Sequence, residues 1–337
     1  MPKYRKSGGM FAISFPKQAL RCQDNQLLLP LGNQLGKWFG IKTIPIPMPN
    51  NLDFATVREL RILPRNGCFY AEFVYSTPAP QNTQPDLGRA LGIDHGVGNW
   101  LTCVSNIGKS FIVDGKRIKS QNQWYNKQVA ALKKNKSQDY WDETLAAITE
   151  KRNRQMRDAI NKVARFVINW CLNHNVGTVV FGWNVRNKDG IYLGKKNNQE
   201  FVQIPTAKLK NRIQQLSEQY RIRFIETEES YTSKASFVDN DFLPKFGEKP
   251  QSWKPSGKRG KRKDGLGRGQ YQTKQGIRIN SDCNGAANIL RKVSSQLGIS
   301  LAEVFRAVLT LPQRYDVFLM KKSYRKKCEA GRFQEPA

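Results

Sequence analysis

The chain is 337 residues long and carries 56 Lys and Arg against 27 Asp and Glu, a formal charge of +29. Seven Trp, 11 Tyr and 17 Phe supply enough bulky apolar material for a sizeable core, which excludes global disorder. The charge points to a polyanionic partner, nucleic acid first; no apolar run approaches the roughly 18 residues of a membrane span, and no signal-type stretch follows the basic start, so a membrane partner is not expected.

Residues 1–86 read as all-β. Short apolar or alternating runs at 11–15, 26–30, 41–47, 57–65 and 68–76 are punctuated by Gly, Pro, Asn and Asp, and the RNG triplet at 65–67 predicts a hairpin turn. A small barrel or sandwich is expected, followed by a Pro-rich polar linker at 77–86. A second unit then opens with a three-strand meander: Ala90 to Asp94, Asn99 to Val104 and Ser110 to Val113. Residues 119–174 predict a helical hairpin, with Trp124, Val129 and Leu132 marking one helix and Leu145, Ile148, Met156, Ile160, Val163, Phe166, Val167 and Trp170 the other. A β-branched strand at 176–181, a polar loop, a helix from Pro205 with Leu209, Ile213, Leu216 and Tyr220 on one face, and a strand through Ile222, Phe224 and Ile225 complete a mixed α/β order with helices on the sheet faces.

The stretch 249–278 changes character. It is dense in Lys, Arg and Gly and predicts a loop that orders only against phosphate. Asp282 follows and opens a helix packed through Ala286, Ala287, Ile289, Leu290 and Val293. Another amphipathic segment runs from Leu301 to Leu309, and the tail ends in the basic run KKSYRKKC.

Six Cys at 22, 68, 103, 171, 283 and 328 form no CxxC pair, and His95 and His174 are the only His. Zinc-ribbon, iron–sulfur and multi-His chemistry are therefore set aside, and carboxylates are left to carry any hydrolysis. Three acidic sites stand at switch points: Asp94 ends a strand, Glu228 and Glu229 follow another, and Asp282 opens a helix. Converging at one sheet edge, such hard oxygens suit two divalent ions about 4 Å apart acting on a phosphodiester. The plain alternative for each is a turn or a helix cap, and for Asp282 capping is the expected role. His95 is either a general base or a strand-end polar residue.

Taken together, GIDHG at 92–96, EESYTSKAS at 228–236 and INSDCNGAANIL at 279–290 resemble the catalytic segments of the TnpB family. The resemblance rests on Asp282, Asn284, Ala286 and Asn288 in an Asp-x-Asn-x-Ala-x-Asn pattern and on Tyr231-Thr232-Ser233-Lys234. It implies a transposon-encoded, RNA-guided DNA endonuclease. The implied fold is an α/β, RNase H-like (RuvC-type) mixed sheet with flanking helices, preceded by a small β-barrel-like wedge domain. The implied layout is a partial wedge at 1–86, a nuclease domain at 87–296 with the helical hairpin 119–174 and a basic insertion 240–278, and a basic tail at 297–337. The implied cofactor is Mg2+, with Mn2+ as a substitute. The implied partners are a guide RNA from the transposon end and target DNA, and the implied setting is the cytoplasm and nucleoid of a prokaryote.

The sequence departs from that pattern in three places. Phe181 and Gly182 stand where the family's middle acidic residues are expected, so Glu229 is the first choice for the third carboxylate and Glu228 the second. The two CxxC pairs that commonly precede the last Asp are missing, so no structural zinc is expected. Only 93 residues precede Asp94, which implies a shortened N terminus without the helical recognition insertion. The alternative function is then an inactive relative that binds guide RNA or DNA without cutting it.

Nucleic-acid contacts are expected from the one-signed face of the long helix, with Lys151, Arg152, Arg154, Arg157, Lys162 and Arg165. Further contacts are expected from Lys234, from Lys258, Arg259, Lys261, Arg262 and Lys263, and from Arg278. Trp183, with Lys188, Lys195 and Lys196, is read either as a stacking platform or as core.

Overall fold

The structure is a computed structural model and describes residues 9–77, 84–184, 204–260, 266–267 and 269–316. The chain divides into two compact units, one formed by residues 1–79 and 132–151, the other by 80–131 and 152–337.

In the first unit, β1 (Ile13–Pro16), β5 (Val57–Arg65) and β6 (Cys68–Tyr75) form one antiparallel sheet in the order β1-β5-β6. A second sheet is built from β2 (Arg21–Gln23), β3 (Gln26–Pro30) and β4 (Thr43–Pro47), with the order β2-β3-β4. Leu20, Leu27, Leu29, Met48, Val57 and Leu60 share one buried core. Among the described residues no strand pairing joins the two sheets, so of the small barrel or sandwich expected from the sequence the barrel is not confirmed. A helix, α1 (Gly32–Phe39), lies between β3 and β4, where the sequence predicted no helix. Glu150 accepts hydrogen bonds from Asn66 Nδ2 and Tyr70 Oη.

The second unit is built on a six-stranded mixed sheet. Its strands are β7 (Asp86–His95), β8 (Asn99–Ser105), β9 (Ser110–Asp114), β10 (Val176–Gly182), β11 (Arg223–Thr227) and β15 (Gln313–Tyr315), in the order β11-β10-β7-β8-β9-β15. The first three strands form the antiparallel meander, while β10 pairs parallel to β7 and β11 parallel to β10. Parallel neighbours need crossovers, and the helices supply them: α2 (Lys116–Leu132) and α3 (Glu143–Asn173) precede β10, and α4 (Thr206–Gln219) joins β10 to β11.

Strand alternation sorts the two sheet faces. Leu91, Ile93, Val179 and Phe181 face a core shared with Val163, Val167 and Cys171 of α3 and Leu209, Ile213 and Leu216 of α4. Ala90 and Val180 face Ile289, Leu290 and Val293 of α5 (Ser281–Leu297). At Gly92 a Cβ would stand 2.6 Å from the Ala286 carbonyl oxygen, so only glycine lets α5 lie this close to β7. The short helix α6 (Arg306–Thr310) contributes Val308 and Leu309 to a cluster with Val104, Ala286 and Ala287.

The basic stretch is not a bare loop. Its described residues form a three-stranded antiparallel sheet from β12 (Lys258–Arg259), β13 (Gln270–Gln272) and β14 (Arg278–Asn280), in that order, around the buried ring of Tyr271. Sequence composition hid this because the strands are only two or three residues long and only Tyr271 and Ile279 are apolar anchors. No described helix is long and apolar enough to cross a membrane.

Candidate metal-binding and nuclease site

Asp94 stands at the C-terminal end of β7, the central strand, between β10 and β8. Alternation sends its side chain to the α5 face, as for Ala90 and Gly92, and turns His95 to the face of Ile93 and Phe181. The carboxylate lies against Gly285, where a Cβ would stand 2.7 Å from Asp94 Oδ2. Burial pushes the Asp94 carboxyl well above the usual carboxylate range. The nearby Asp282 and Glu229 charges raise it further, while Arg259 and a backbone hydrogen bond oppose the rise.

Among the described residues, Asp94, His95 and Glu229 bring one ligand atom each within 4.8 Å of one another. His95 Nδ1 lies 3.5 Å from Glu229 Oε2. The imidazole is walled by Phe181 and Trp183, with ring centroids 5.9 and 5.2 Å away. Asn184 fixes Glu229 from two sides: its Oδ1 accepts from the Glu229 N–H at 3.0 Å, and its Nδ2 donates to Oε1 at 3.4 Å.

Glu228 turns away. It pairs with Lys292 on α5, and its carboxylate also accepts from the Ser230 N–H. Burial tends to raise its pKa, but the hydrogen bonds from Lys292 and Ser230 prevail and leave it lowered.

Asp282 does not cap its helix. The cap is Asn280, whose side-chain oxygen accepts from the Asp282 and Cys283 N–H groups at 3.0 Å each. Because a neighbour satisfies the helix end, the Asp282 carboxylate is available for other contacts. Asn99 Nδ2 donates to its Oδ2 at 2.7 Å, and Arg259 Nη2 donates to its Oδ1 at 2.8 Å. Arg314 Nη1 donates to Asn99 Oδ1 at 3.2 Å, fixing the amide from behind.

The Asp-x-Asn-x-Ala-x-Asn spacing has a direct structural reason. Asn284 and Asn288 are one helical turn apart and both buried. Asn284 accepts from the Phe237 N–H at 2.9 Å and donates to the Ala235 carbonyl at 2.8 Å. Asn288 donates to the Thr232 and Ala235 carbonyls at 2.8 Å each. The two amides clamp the segment after Glu229 onto α5, while Ala286, on the opposite side of the helix, lies against Gly92 of β7.

The expected basic contacts divide. Lys151, Arg154, Lys234, Lys258 and Arg278 are exposed, and Arg157 is half-buried. Arg152 is half-buried, donating to Asn122 Oδ1 at 3.0 Å over the Tyr125 ring. Lys162 pairs with Asp158, and Arg165 donates to Tyr220 Oη at 2.8 Å. Part of that one-signed helix face is therefore turned inward. Arg259 lies against Asp282 and belongs to the acidic cluster. Lys261, Arg262 and Lys263, together with Lys188, Lys195, Lys196 and the KKSYRKKC run, lie outside the described residues.

Sequence reasoning left His95 between a general base and a strand-end polar residue, and it did not single out Asn99 and Asn184; the structure sets His95 beside Glu229. Adjacency to Asp94 was the available signal for His95. The two amides had none, because each acts through contacts distant in sequence.

A mixed sheet with acidic groups gathered at the end of its central strand is the setting in which the comparisons with known proteins fall. Residues 72–188, roughly a third of the chain and the stretch that holds GIDHG at 92–96, match the OrfB_IS605 family model, a probable transposase, in agreement with the resemblance to the TnpB family. No curated protein matches the chain. Among solved structures it is similar to a chain of the Cas12f1–sgRNA–target DNA complex determined by cryo-EM, at 16% identity and TM-score 0.44, over 85% of this chain and 68% of that one. It is also similar to a chain of a CRISPR–Cas12f ternary complex, at 15% identity and TM-score 0.39, over 83% and 63%.

Proposed function

We propose that this chain is a TnpB-type, RNA-guided DNA endonuclease that hydrolyses phosphodiester bonds with divalent metal ions. The observation that carries the reading is the gathering of Asp94, Glu229 and His95, with Asp282 acting electrostatically on Asp94. The donor set is right for Mg2+ or Mn2+: three carboxylates, with the charge on Asp94 disfavoured by its neighbours and so relieved by a cation. Asp94, Glu229 and Asp282 would hold the metal, with His95 beside them. When bound, Mg2+ supplies activation of the attacking water and support for the leaving oxygen.

The chain's own residues do the rest. Asn184 orients Glu229, and Asn99 orients Asp282. Gly285 leaves room for the Asp94 carboxylate, and Phe181 and Trp183 shield the His95 side of the cluster from water. The fold that supports this reading is the RNase H-like (RuvC-type) arrangement, a meander followed by two parallel strands reached through helices. The nuclease domain is proposed at 87–296, with β15 (Gln313–Tyr315) adding an edge strand to its sheet. Guide RNA and target DNA are held by the +29 charge, through Lys151, Arg154, Arg157, Lys234, Lys258 and Arg278.

The test is recovery of bound RNA from the purified protein and Mg2+-dependent cleavage of DNA matched to that RNA. Asp94→Ala should abolish cleavage and leave nucleic-acid binding intact; full cleavage by that variant refutes the reading. A second reading, a binder that does not cut, is favoured by Phe181, whose buried ring fills a position where the family's pattern has an acid. Bound RNA without cleavage by the wild-type chain would select it.

A further inference from the structure

The interval between Thr232 and Asp282 contains neither Cys nor His, so the zinc ribbon that the TnpB resemblance places here has no ligands of its usual kind. Its described residues are nevertheless ordered, and two carboxylates stand where separate segments meet. Asp239 Oδ2 accepts from Ser236 Oγ at 2.6 Å, Ser256 Oγ at 3.1 Å and the Lys274 N–H at 2.9 Å. Asp241 Oδ2 accepts from the Ser236 N–H at 2.7 Å and the Ser256 N–H at 3.0 Å. These donors come from three places widely spaced along the chain. Both carboxylates face donors, which is the environment of a stabilised anion and not that of a cation site.

The same turn is tied to α5. Arg291 donates to Asn240 Oδ1 at 3.0 Å and to the Asp241 carbonyl at 2.7 Å. Tyr271 Oη donates to the Lys234 carbonyl at 2.8 Å, joining β13 to the segment clamped by Asn284 and Asn288. Ser256 stands two residues before β12, and Lys274 lies in the turn between β13 and β14. The aspartates therefore fix both approaches to the small sheet, and β12 carries Arg259 to Asp282.

We propose that Asp239 and Asp241 form a metal-independent cross-link that takes the place of a structural zinc and positions Arg259 on Asp282. The cross-link stands on the hydrogen bonds alone. Its consequence for cleavage rests on the nuclease reading: Arg259 is half-exposed, holds Asp282 through one guanidinium nitrogen, and keeps other N–H groups for a phosphate. Asp239 and Asp241 are positioning residues and touch no reacting atom.

The test is hydrogen exchange on the full chain, with and without a zinc chelator, for wild type, Asp239→Ala, Asp239→Asn and Ser256→Ala. The chelator should leave wild-type protection at 256–260 and 270–275 unchanged. Asp239→Ala should speed exchange there by at least about tenfold while the six-stranded sheet keeps its protection. Asp239→Asn, which keeps one acceptor oxygen, should restore part of the protection. Loss of wild-type protection on chelation, or unchanged exchange in Asp239→Ala, overturns the cross-link. Should Asp239→Ala unfold, Ser256→Ala and Asp239→Asn decide, and unchanged exchange in both overturns it.

Cleavage adds a separate arm. Asp239→Ala and Arg259→Ala should each slow single-turnover cutting, and the double variant should lose no more than the worse single, because both act through one contact. Additive losses overturn the positioning role. A wild-type chain that does not cut refutes the nuclease reading and leaves the exchange result standing.

Discussion

Gly285 and Asp94 compete for one volume: a Cβ on Gly285 would stand 2.7 Å from Asp94 Oδ2 and 3.4 Å from its Cγ. The obstructing atom is the end of a side chain and not backbone, so the cheapest response to Gly285→Ala is rotation of Asp94 away from Glu229 and Asp282. Overpacking at a site that can yield costs at most about 1 kcal/mol, and alanine's better helix propensity offsets most of it. The expected outcome is a thermal midpoint close to wild type with cleavage reduced by at least about tenfold, since a misplacement of an ångström is costly in catalysis. Equal cleavage by the two proteins would show that Asp94 does not need this position.

Asp94 also ties stability to pH. Its folded-state pKa is raised, chiefly by burial and then by Asp282 and Glu229. The folded chain therefore holds the proton over a range in which the unfolded chain has released it. Stability from this group is present below the unfolded pKa of about 3.9 and is lost as pH rises through the raised folded value. In chelator-treated protein near neutral pH, Asp94→Asn should raise the midpoint by about 2 °C or more and abolish cleavage. Added Mg2+ should stabilise wild type and not the variant. A lower midpoint for Asp94→Asn in the absence of metal would contradict the charge clustering.

Much of the nuclease-like unit was legible because its signals are local. The meander, the β10 strand and the helix from Pro205 each announce themselves within a dozen residues through β-branched runs or helical spacing. What was not legible depends on partners distant in sequence. Asp282 has the position of a cap, but Asn280 takes that role two residues earlier, a choice that only backbone geometry at the start of α5 decides. The small sheet of β12, β13 and β14 has strands of two or three residues, below what periodicity can register. Helix α1 contains Gly32, Asn33 and Gly36, poor helix formers, and buries no residue that would mark a face. Arg152 and Arg165 read as nucleic-acid contacts, yet they find Asn122 and Tyr220 across the fold.

The clamp formed by Asn284 and Asn288 yields a stability prediction. Both side chains are buried, and truncation leaves main-chain groups unpaired: the Phe237 N–H loses Asn284 and the Thr232 carbonyl loses Asn288, while the Ala235 carbonyl, which accepts from both amides, keeps one of them in either variant. Each unsatisfied buried group costs about 1–3 kcal/mol. Asn288→Ala should therefore destabilise the chain by about 2 kcal/mol in urea denaturation and expose amides of 232–237 to exchange. Asn288→Asp should do no better, because it removes the donor and buries a charge beside two carbonyls. A loss under about 0.5 kcal/mol in both variants would mean the clamp is dispensable.

Adjacent glutamates with opposite surroundings give the sharpest separation. Glu229 faces His95 and is held by Asn184, whereas Glu228 faces Lys292, whose side chain is only 9% exposed. Glu229→Gln keeps the size and the Asn184 contact but removes the charge a metal needs, and cleavage should fall by about 100-fold or more. Glu228→Gln should cut within about threefold of wild type. It should nonetheless destabilise the protein by about 1 kcal/mol, because Lys292 loses its charge partner while Glu228, itself a third exposed, lets water screen part of the pair. Mg2+ titration of the midpoint separates the two residues without any nuclease assay, since only Glu229→Gln should blunt the metal response. Should Glu228→Gln lose both cleavage and the metal response while Glu229→Gln keeps them, the third carboxylate is Glu228, and the Lys292 pair must open for it to serve.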